Sequence, residues 1–544
     1  MNRVARDAGT VAAITLAARL IGFLRWVVFA WAVGAQGVGT VYQSVNTVPN
    51  IVYEIAAGGI LAAVVIPLVA SRISTTGAQG AGEGADEGAD EVASALLTRA
   101  LAVLVPLALV LVLAAPIISR ALLGDLEGRV EGAVALGTRL LILFSPQVVL
   151  YGVGIVVSGV LQAHRRFVAA ALAPLLSSLV VIATYVTWAL TVPAGTGPDE
   201  VHTREWLLLG GGTTLGVLAM SVPLVVVASA AGIRLRPRWR LSQEIGTRAR
   251  SLAGAGVLAL LAQQVTVLVT LAVANRSGGD GALVVQNYVQ ALYLLPYAVL
   301  AVPIATAVFP LLASSATGSD EVQASAASTL AAALRAVVVL GAAAVAGLIA
   351  AASPIGEVFA EIDRGSEGAH ALEAMPSALI AMAPGLVAFG ATAVALRALY
   401  ARGRPLLAGA HMAAGWLVAA AIPLLALGDD SGARRTLVTL GLASTIGMTL
   451  AALGLLARVR ADWGRGALAG VPRAAVLAGA AVALGLVVHV LGRGHWPASA
   501  VAATLLGAVV ALAVAALVLL VGLRLDPALR GRVPGLRRFG RARG

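Results

Sequence analysis

The chain has 544 residues, of which 59% are hydrophobic and 12% charged, and its mean hydropathy is +0.93. Soluble domains carry charge on about a quarter of their residues, so this composition excludes a soluble globular protein and indicates a polytopic membrane protein. The absence of cysteine excludes disulfides and thiolate metal sites. The net charge of +12 comes from arginines clustered in short loops and the C-terminal tail, which predicts contact with anionic membrane lipids and no nucleic acid.

The first apolar segment, 11–33, contains Arg19 and Arg25. It is about as long as one bilayer crossing, since about 20 helical residues cover a hydrocarbon core of about 30 Å. A cation at that depth is costly and normally faces a watery cavity, an ion partner or an anionic substrate. Snorkelling to the interface is the alternative, but it is a long reach from Arg25. We therefore expect a transporter whose guanidinium groups pair with phosphate oxygens.

The apolar pattern predicts fourteen transmembrane helices. The predicted spans are 11–33, 45–70, 97–119, 134–161, 168–192, 206–231, 251–274, 283–313, 327–352, 375–400, 405–427, 436–457, 473–491 and 499–522. Arginine-rich loops alternate with arginine-poor ones along the chain, so the positive-inside rule predicts that both termini are cytoplasmic. The first span lacks a cleavage site after a short apolar region, so we expect it to be retained.

Two polar stretches interrupt this pattern. The acidic Gly/Ala-rich stretch 77–91 lacks bulky residues and predicts a flexible, solvated loop. The basic stretch 233–250 predicts a cytoplasmic link between two halves of the chain. The turn at 164–167, which carries two arginines, is expected to set topology and to anchor lipid headgroups.

Similar motifs recur six spans apart, 66–71 with 309–314 and 161–167 with 399–405. An even separation preserves orientation, so the pattern predicts two six-helix lobes related by a parallel repeat, followed by two further helices. The expected division is an N-terminal lobe over 1–232, a basic linker over 233–250, a C-terminal lobe over 251–460, two helices over 461–523 and a basic cytoplasmic tail over 524–544.

Four further polar residues lie inside or at the ends of predicted spans. We expect Glu54 to be a buried carboxylate that either neutralises an arginine of the first span or carries a proton or cation. Asn50 either satisfies backbone groups freed by the preceding proline or contacts the substrate. Arg139 is an interfacial anchor or a cavity cation, and Arg397, one turn from the cytoplasmic end of its span, is expected mainly to snorkel.

No Ser/His/acid arrangement, metal-ligand spacing or phosphate-binding Gly loop with its Lys occurs in the sequence. We therefore expect no enzyme activity, catalytic residue, cofactor or metal. Because nucleotide motifs are also missing, uphill work would have to draw on an ion gradient or the membrane potential.

Four segments together resemble the lipid II flippases of the MurJ (MviN) family, in the superfamily that also holds multidrug and polysaccharide exporters. These segments are 18–25, 49–54 with the following glycines, 161–167 and 295–310. The resemblance extends over about 1–460. It implies a V-shaped pair of lobes around a cationic central cavity, with a lipid-tail groove near the last two helices. It also implies that Arg19 and Arg25 contact the substrate's pyrophosphate.

Three positions depart from the family pattern and indicate a divergent, actinobacterial-like branch. Tyr53 and Glu54 stand where the second helix commonly carries arginine, Thr40 lies near a common acidic position, and Ala291 replaces a common arginine. Tyr53 either hydrogen-bonds a sugar or phosphate or is an ordinary buried tyrosine.

We therefore expect an all-α polytopic protein of the bacterial plasma membrane that flips lipid II, the undecaprenyl-pyrophosphate-linked peptidoglycan precursor, to the outer leaflet by alternating access. Cell-wall synthesis proteins are candidate partners. An exporter of another lipid-linked glycan and a non-transporting scaffold remain alternatives. A cation-coupled drug exporter would need more acidic residues in its cavity, and a glycosyltransferase would need a larger outer loop.

Overall fold

The computed structural model describes residues 2–55, 84–239, 243–315, 318–365, 370–497, 499–526 and 529. Within these residues the chain forms helices and turns and no strand. The helices are α1 Asn2–Ala32, α2 Val38–Ile55, α3 Gly84–Glu127, α4 Ala133–Ala163, α5 Phe167–Thr191, α6 Thr203–Ala230, α7 Gln243–Val273, α8 Ala282–Pro296, α9 Val302–Ser314, α10 Asp320–Ala350, α11 Ala352–Ile362, α12 His370–Glu373, α13 Met375–Met382, α14 Gly385–Ala401, α15 Pro405–Ala426, α16 Ala433–Trp463, α17 Val471–Gly492 and α18 Ala500–Leu525.

Thirteen segments of the described chain are helical, long and apolar enough to cross a membrane, and each overlaps a predicted span. The all-α polytopic fold class is therefore confirmed. The one remaining predicted span, 45–70, begins within α2, and its residues 56–70 lie outside the described chain. Most of the predicted basic tail, 524–544, also lies outside it.

The predicted loop over 77–91 is wrong for its second half. Helix α3 begins at Gly84, while 77–83 lie outside the described residues. The physical reason is that alanine and glutamate are strong helix formers, and acidic side chains near a helix N-terminus interact favourably with its dipole. Low bulk and high charge therefore did not prevent helix formation there.

The chain forms two compact units. The first consists of Met1–Val284 with Ile362–Ala369, and the second of Val285–Glu361 with His370–Gly544. Helix α7, which corresponds to the seventh predicted span, groups with the first unit. The five-part division expected from the sequence stays a prediction.

In the first unit, α4 is the central helix, packed against α2, α3 and α6, while α1 packs along α5. Small residues permit this closeness: Gly154 of α4 faces Ser221 of α6, and Gly216 of α6 faces Val181 of α5. In the second unit, α10 packs against α17 and α18. Arg335 of α10 forms an ion pair with Asp526, just after α18.

The two related motifs at 161–167 and 399–405 have the same turn geometry. Each ends a helix with a residue of positive φ, Arg165 at 59° and Gly403 at 68°. The following N–H groups, of Arg166 and Arg404, bond back to Leu161 and Leu399 at 2.8 and 2.9 Å. Together with the bonds Arg165 N–H to Gln162 and Gly403 N–H to Tyr400, this is the Schellman pattern of helix ends.

Candidate functional site

The predicted cations of the first helix are both accessible. The Arg19 side chain is exposed and that of Arg25 is half-buried. The two arginines are six residues apart, which puts them about 120° apart around α1. They therefore present positive charge in two directions along one membrane-spanning helix.

A polar aromatic cluster joins α2 to α4. The Tyr151 hydroxyl donates a hydrogen bond to Asn50 Oδ1 at 3.1 Å, and the Tyr151 and Tyr53 rings lie 4.4 Å apart between centroids. Asn50 and Tyr53, three residues apart on α2, thus both contact Tyr151. Tyr151 was not predicted, since a single tyrosine in an apolar span has no distinctive pattern. Its pairing with a predicted site residue is the property that identifies it.

Glu54 differs from the expectation of a buried carboxylate. Its side chain is exposed and forms no ion pair within the described part of the chain. Successive residues of a helix are rotated by about 100°, so Tyr53, which packs on α4, directs Glu54 to another face of α2. The expected ion pair with an arginine of the first helix is absent from these residues.

The remaining predicted arginines have different surroundings. Arg139 is exposed on α4, on the same helical face as the exposed Ile142 and Pro146. Arg397 belongs to the second unit, where its guanidinium donates to the Ala393 carbonyl at 2.9 Å and to the Thr306 hydroxyl at 3.3 Å. Arg397 is therefore held by neighbouring protein oxygens, as an anchored side chain would be.

A buried network lies beneath the polar cluster. The Tyr42 hydroxyl is 3.0 Å from that of Tyr185 and 2.8 Å from that of Thr213, and the Tyr42 ring contacts those of Phe29 and Phe144. These residues come from α1, α2, α4, α5 and α6. A buried polar group that is fully bonded rigidifies its surroundings, so this network supports the helices that carry the candidate site.

The turn between α1 and α2 is held by Asp280. Its carboxylate accepts hydrogen bonds from the Gly37 N–H at 3.0 Å and the Thr40 hydroxyl at 2.5 Å. The Gly281 N–H donates in turn to the Thr40 hydroxyl at 2.9 Å. Burial raises the pKa of Asp280, and its bonds to Thr40, Gly37 and Gly281 counteract that rise. The Asp280 carboxylate thus reaches Thr40, which lies near a position that is commonly acidic in the family pattern.

A second acid holds the same turn. The Asp363 side chain accepts a hydrogen bond from the Ala35 N–H at 3.2 Å, while its Oδ2 is buried without a partner among the described residues. Burial raises its pKa to about 7, and the bond from Ala35 partly counteracts this. The neighbouring Arg364 donates to the carbonyls of Ala189 and Val192 at 2.6 and 2.7 Å.

The groups at the site are suited to bind a polar or anionic ligand. No group of three or more His, Cys, Asp or Glu residues in the described chain could hold a metal ion. The α1 guanidinium groups can pair with phosphate, and the hydroxyl and amide groups of Tyr53, Tyr151 and Asn50 can hydrogen-bond a polar headgroup.

Comparison with known proteins adds an independent observation. Residues 29–506 match the family described as "Lipid II flippase MurJ". Two curated proteins named "Probable lipid II flippase MurJ" are similar to the chain. The one from Rhizobium tropici is 27% identical over 306 residues, which cover 56% of this chain and 54% of the relative. The one from Rhizobium meliloti (strain 1021) is 26% identical over 321 residues, covering 57% and 55%. The matched region thus spans just over half the length of these relatives.

Solved structures show the same fold. A lipid II flippase MurJ in an inward closed conformation aligns with a TM-score of 0.68 at 16% identity, covering 94% of this chain and 98% of that one. An inward-facing multidrug resistance MATE family transporter of the MOP superfamily aligns with a TM-score of 0.60 at 18% identity, covering 85% and 99%. At these identities the similarity concerns fold alone.

Proposed function

The chain belongs to the lipid II flippase MurJ family, and from that membership we propose that it moves lipid II from the cytoplasmic to the outer leaflet of a bacterial plasma membrane. The transport problem is to carry a large polar headgroup across a hydrocarbon core of about 30 Å while the polyprenyl tail stays in lipid. The protein acts as a transporter and performs no covalent chemistry on its substrate.

The observation that carries this proposal is the accessible pair Arg19 and Arg25 on the membrane-spanning helix α1. A pyrophosphate that leaves water loses hydration, and guanidinium groups offset this loss through charge-assisted hydrogen bonds. Both arginines remain charged at any physiological pH. They are therefore suited to hold the pyrophosphate throughout transport.

The polar cluster beside them would contact the rest of the headgroup. We assign Asn50 and Tyr53 to sugar or phosphate recognition, with Tyr151 orienting Asn50 through its hydrogen bond. We propose that Glu54, exposed on a neighbouring face of α2, carries the proton or cation to which transport is coupled. Arg139 adds a positive charge on α4. Arg397 stabilises the second unit through its hydrogen bonds to Ala393 and Thr306.

The proposed cycle is alternating access through a cavity lined by these arginines, driven by an ion gradient or the membrane potential. The N- and C-termini are proposed to be cytoplasmic, where the basic loops contact anionic lipids. Proteins of cell-wall synthesis are the proposed protein partners, because a flippase receives its substrate from one such step and releases it to another.

The test is rescue of a bacterium depleted of its own flippase. The full chain or its Arg25→Ala, Arg25→Lys or Arg204→Ala variant is expressed, membrane insertion is verified, and lipid II exposed on the outer leaflet is quantified. We expect rescue by the parent and by Arg204→Ala, a matched change of an exposed arginine outside the site. Arg25→Ala should lose exposure, and Arg25→Lys should restore part of it, because lysine keeps the charge without the bidentate geometry.

The two remaining candidate functions predict other results in this assay. If the full chain inserts in the membrane but restores no lipid II exposure, and cells without it accumulate another lipid-linked glycan inside, the protein is an exporter of that glycan. No change in any exported lipid would identify a scaffold. Equal rescue by the parent and Arg25→Ala would keep the flippase and remove Arg25 from the substrate site.

A further inference from the structure

A surface groove of about 890 Å³ lies in the first unit, away from the polar cluster of α2 and α4. It is formed by the start of the membrane-spanning part of α1, at Val11 and Ala12, by the beginning of α5 and by the last part of α6. By the predicted topology all three of these helix ends lie on the cytoplasmic side. The groove therefore opens at the level where lipid headgroups meet the hydrocarbon core.

The walls of the groove are apolar. On α5, residues Val168, Leu172 and Leu176 recur every fourth position and form one face about 12 Å long. Phe167, Val168 and Leu176 remain 48%, 42% and 37% exposed. Leu224 of α6 closes the floor. An extended hydrocarbon chain laid along α5 would cover this face.

Two cations lie at the groove's headgroup end. The Arg165 and Arg166 side chains line it, both are exposed, and neither forms an ion pair with a carboxylate of the described chain. Among the residues that the structure describes, none that lines the groove is acidic. A ligand that fills the groove is therefore expected to be apolar along its length and anionic at one end.

The backbone at Arg165 gives an independent indication that its side chain matters. Its φ of 59° is in the left-handed region, which disfavours residues with a Cβ atom. The corresponding helix end in the related motif has Gly403, and the one after α6 has Gly232. Glycine would be the less strained residue at 165. Residues held in strained backbone conformations, as Arg165 is, are common at functional positions.

We propose that this groove binds one anionic glycerophospholipid of the cytoplasmic leaflet, with an acyl chain along α5 and its phosphate on Arg165 and Arg166. Both cations lack a carboxylate partner among the described residues, so charge complementarity with a lipid phosphate selects this occupant over a zwitterionic lipid. The site is separate from the proposed substrate cations of α1, so its success or failure is independent of the flippase proposal.

The experiment uses the purified full chain in nanodiscs that contain phosphatidylglycerol with a photoactivatable group on its acyl chain. Crosslinked peptides are mapped by mass spectrometry, and we expect labelling within 167–176. The double variant Arg165→Gln/Arg166→Gln should reduce that labelling about tenfold. The matched control, Arg234→Gln/Arg236→Gln, removes two exposed arginines on the same predicted side and should leave it unchanged.

Two further variants separate binding from folding. Arg165→Gly should raise the thermal unfolding midpoint, because it relieves the left-handed strain, and still lower the labelling. Ala169→Trp fills the groove and should abolish labelling with both arginines in place. Equal labelling by a photoactivatable phosphatidylcholine, or unchanged labelling in the double variant, would overturn the proposal. Displacement by equimolar undecaprenyl pyrophosphate would overturn it in favour of a substrate-loading site.

Discussion

The Thr40 hydroxyl donates a hydrogen bond of 2.5 Å to the carboxylate of Asp280, across 240 residues of sequence. The same hydroxyl accepts the Gly281 N–H, so one small side chain links the beginning of α2 to the turn before α8. Thr40 is fully buried, and its loss would remove one hydrogen bond to each of these two segments.

We predict that Thr40→Val destabilises the protein by about 1 to 3 kcal/mol, because valine preserves the shape but removes the hydroxyl that donates to Asp280 and accepts the Gly281 N–H. The thermal unfolding midpoint of the purified protein in detergent measures the effect. Thr15→Val is the matched control, since the Thr15 hydroxyl bonds only the Val11 carbonyl on an exposed face of α1. A midpoint for Thr40→Val equal to that of the control would contradict the link.

Asp363 should make stability depend on pH. Burial raises its pKa to about 7, above the unfolded value near 4, so the folded protein favours the neutral acid. The stabilisation of the folded protein by the raised pKa of Asp363 is fully present below about pH 4 and is lost as the pH rises through about 7. Its upper limit is about 4 kcal/mol. The unfolding midpoint should therefore fall between pH 5 and pH 8. Asp363→Asn, which retains an acceptor for the Ala35 N–H, should flatten that part of the profile, and an unchanged slope would contradict this assignment.

Tyr151 should affect transport more than stability. Tyr151→Phe removes the hydrogen bond to Asn50 and keeps the ring against Tyr53, so we expect a loss of about 0.5 to 1.5 kcal/mol in stability. If Asn50 contacts the headgroup, its loss of orientation should reduce lipid II exposure in the rescue assay severalfold. Tyr400→Phe, on an exposed position of α14, is the control. Full activity of Tyr151→Phe would restrict Tyr151 to packing.

The basic segment 233–239 runs along α3, where three regularly spaced hydrogen bonds connect the two. The N–H groups of Arg234, Arg236 and Arg238 bond the side chains of Asp90, Ser94 and Thr98 at 2.8, 3.0 and 2.9 Å. Two residues of extended chain and four of helix both advance about 6 to 7 Å, which explains the repeated pairing.

Ser94→Ala removes the central bond of this series. We expect faster amide hydrogen exchange at Arg236, since that N–H loses its hydrogen bond to the Ser94 hydroxyl, with smaller increases at Arg234 and Arg238. Ser158→Ala on α4 serves as the control, because the Ser158 hydroxyl bonds the Gln162 side chain and not this segment. Exchange at Arg236 unchanged from the parent would show that the Ser94 bond does not hold the segment.

The amino-acid sequence by itself determined which segments span the membrane and which of them carry arginine. Hydropathy is a local property, and a helix in lipid satisfies its own backbone, so each span can be identified without its neighbours. This is why the described spans match the predicted ones and why Arg19 and Arg25 could be singled out. The stretch 84–91 is helical although its low bulk and high charge predict a loop, because alanine and glutamate favour helix.

Only the tertiary structure decided which polar groups meet. Three hydrogen-bonded pairs join distant parts of the chain: Asn50 with Tyr151, Thr40 with Asp280, and Ala35 with Asp363, separated by 101, 240 and 328 residues. Their pairing depends on the rotation and depth of whole helices, which packing against several neighbours sets and hydropathy does not record. The same reason explains Glu54, whose exposure follows from the face of α2 that packs on α4. Local sequence determines that a segment crosses the membrane, and only the assembled helices determine what each of its faces contacts.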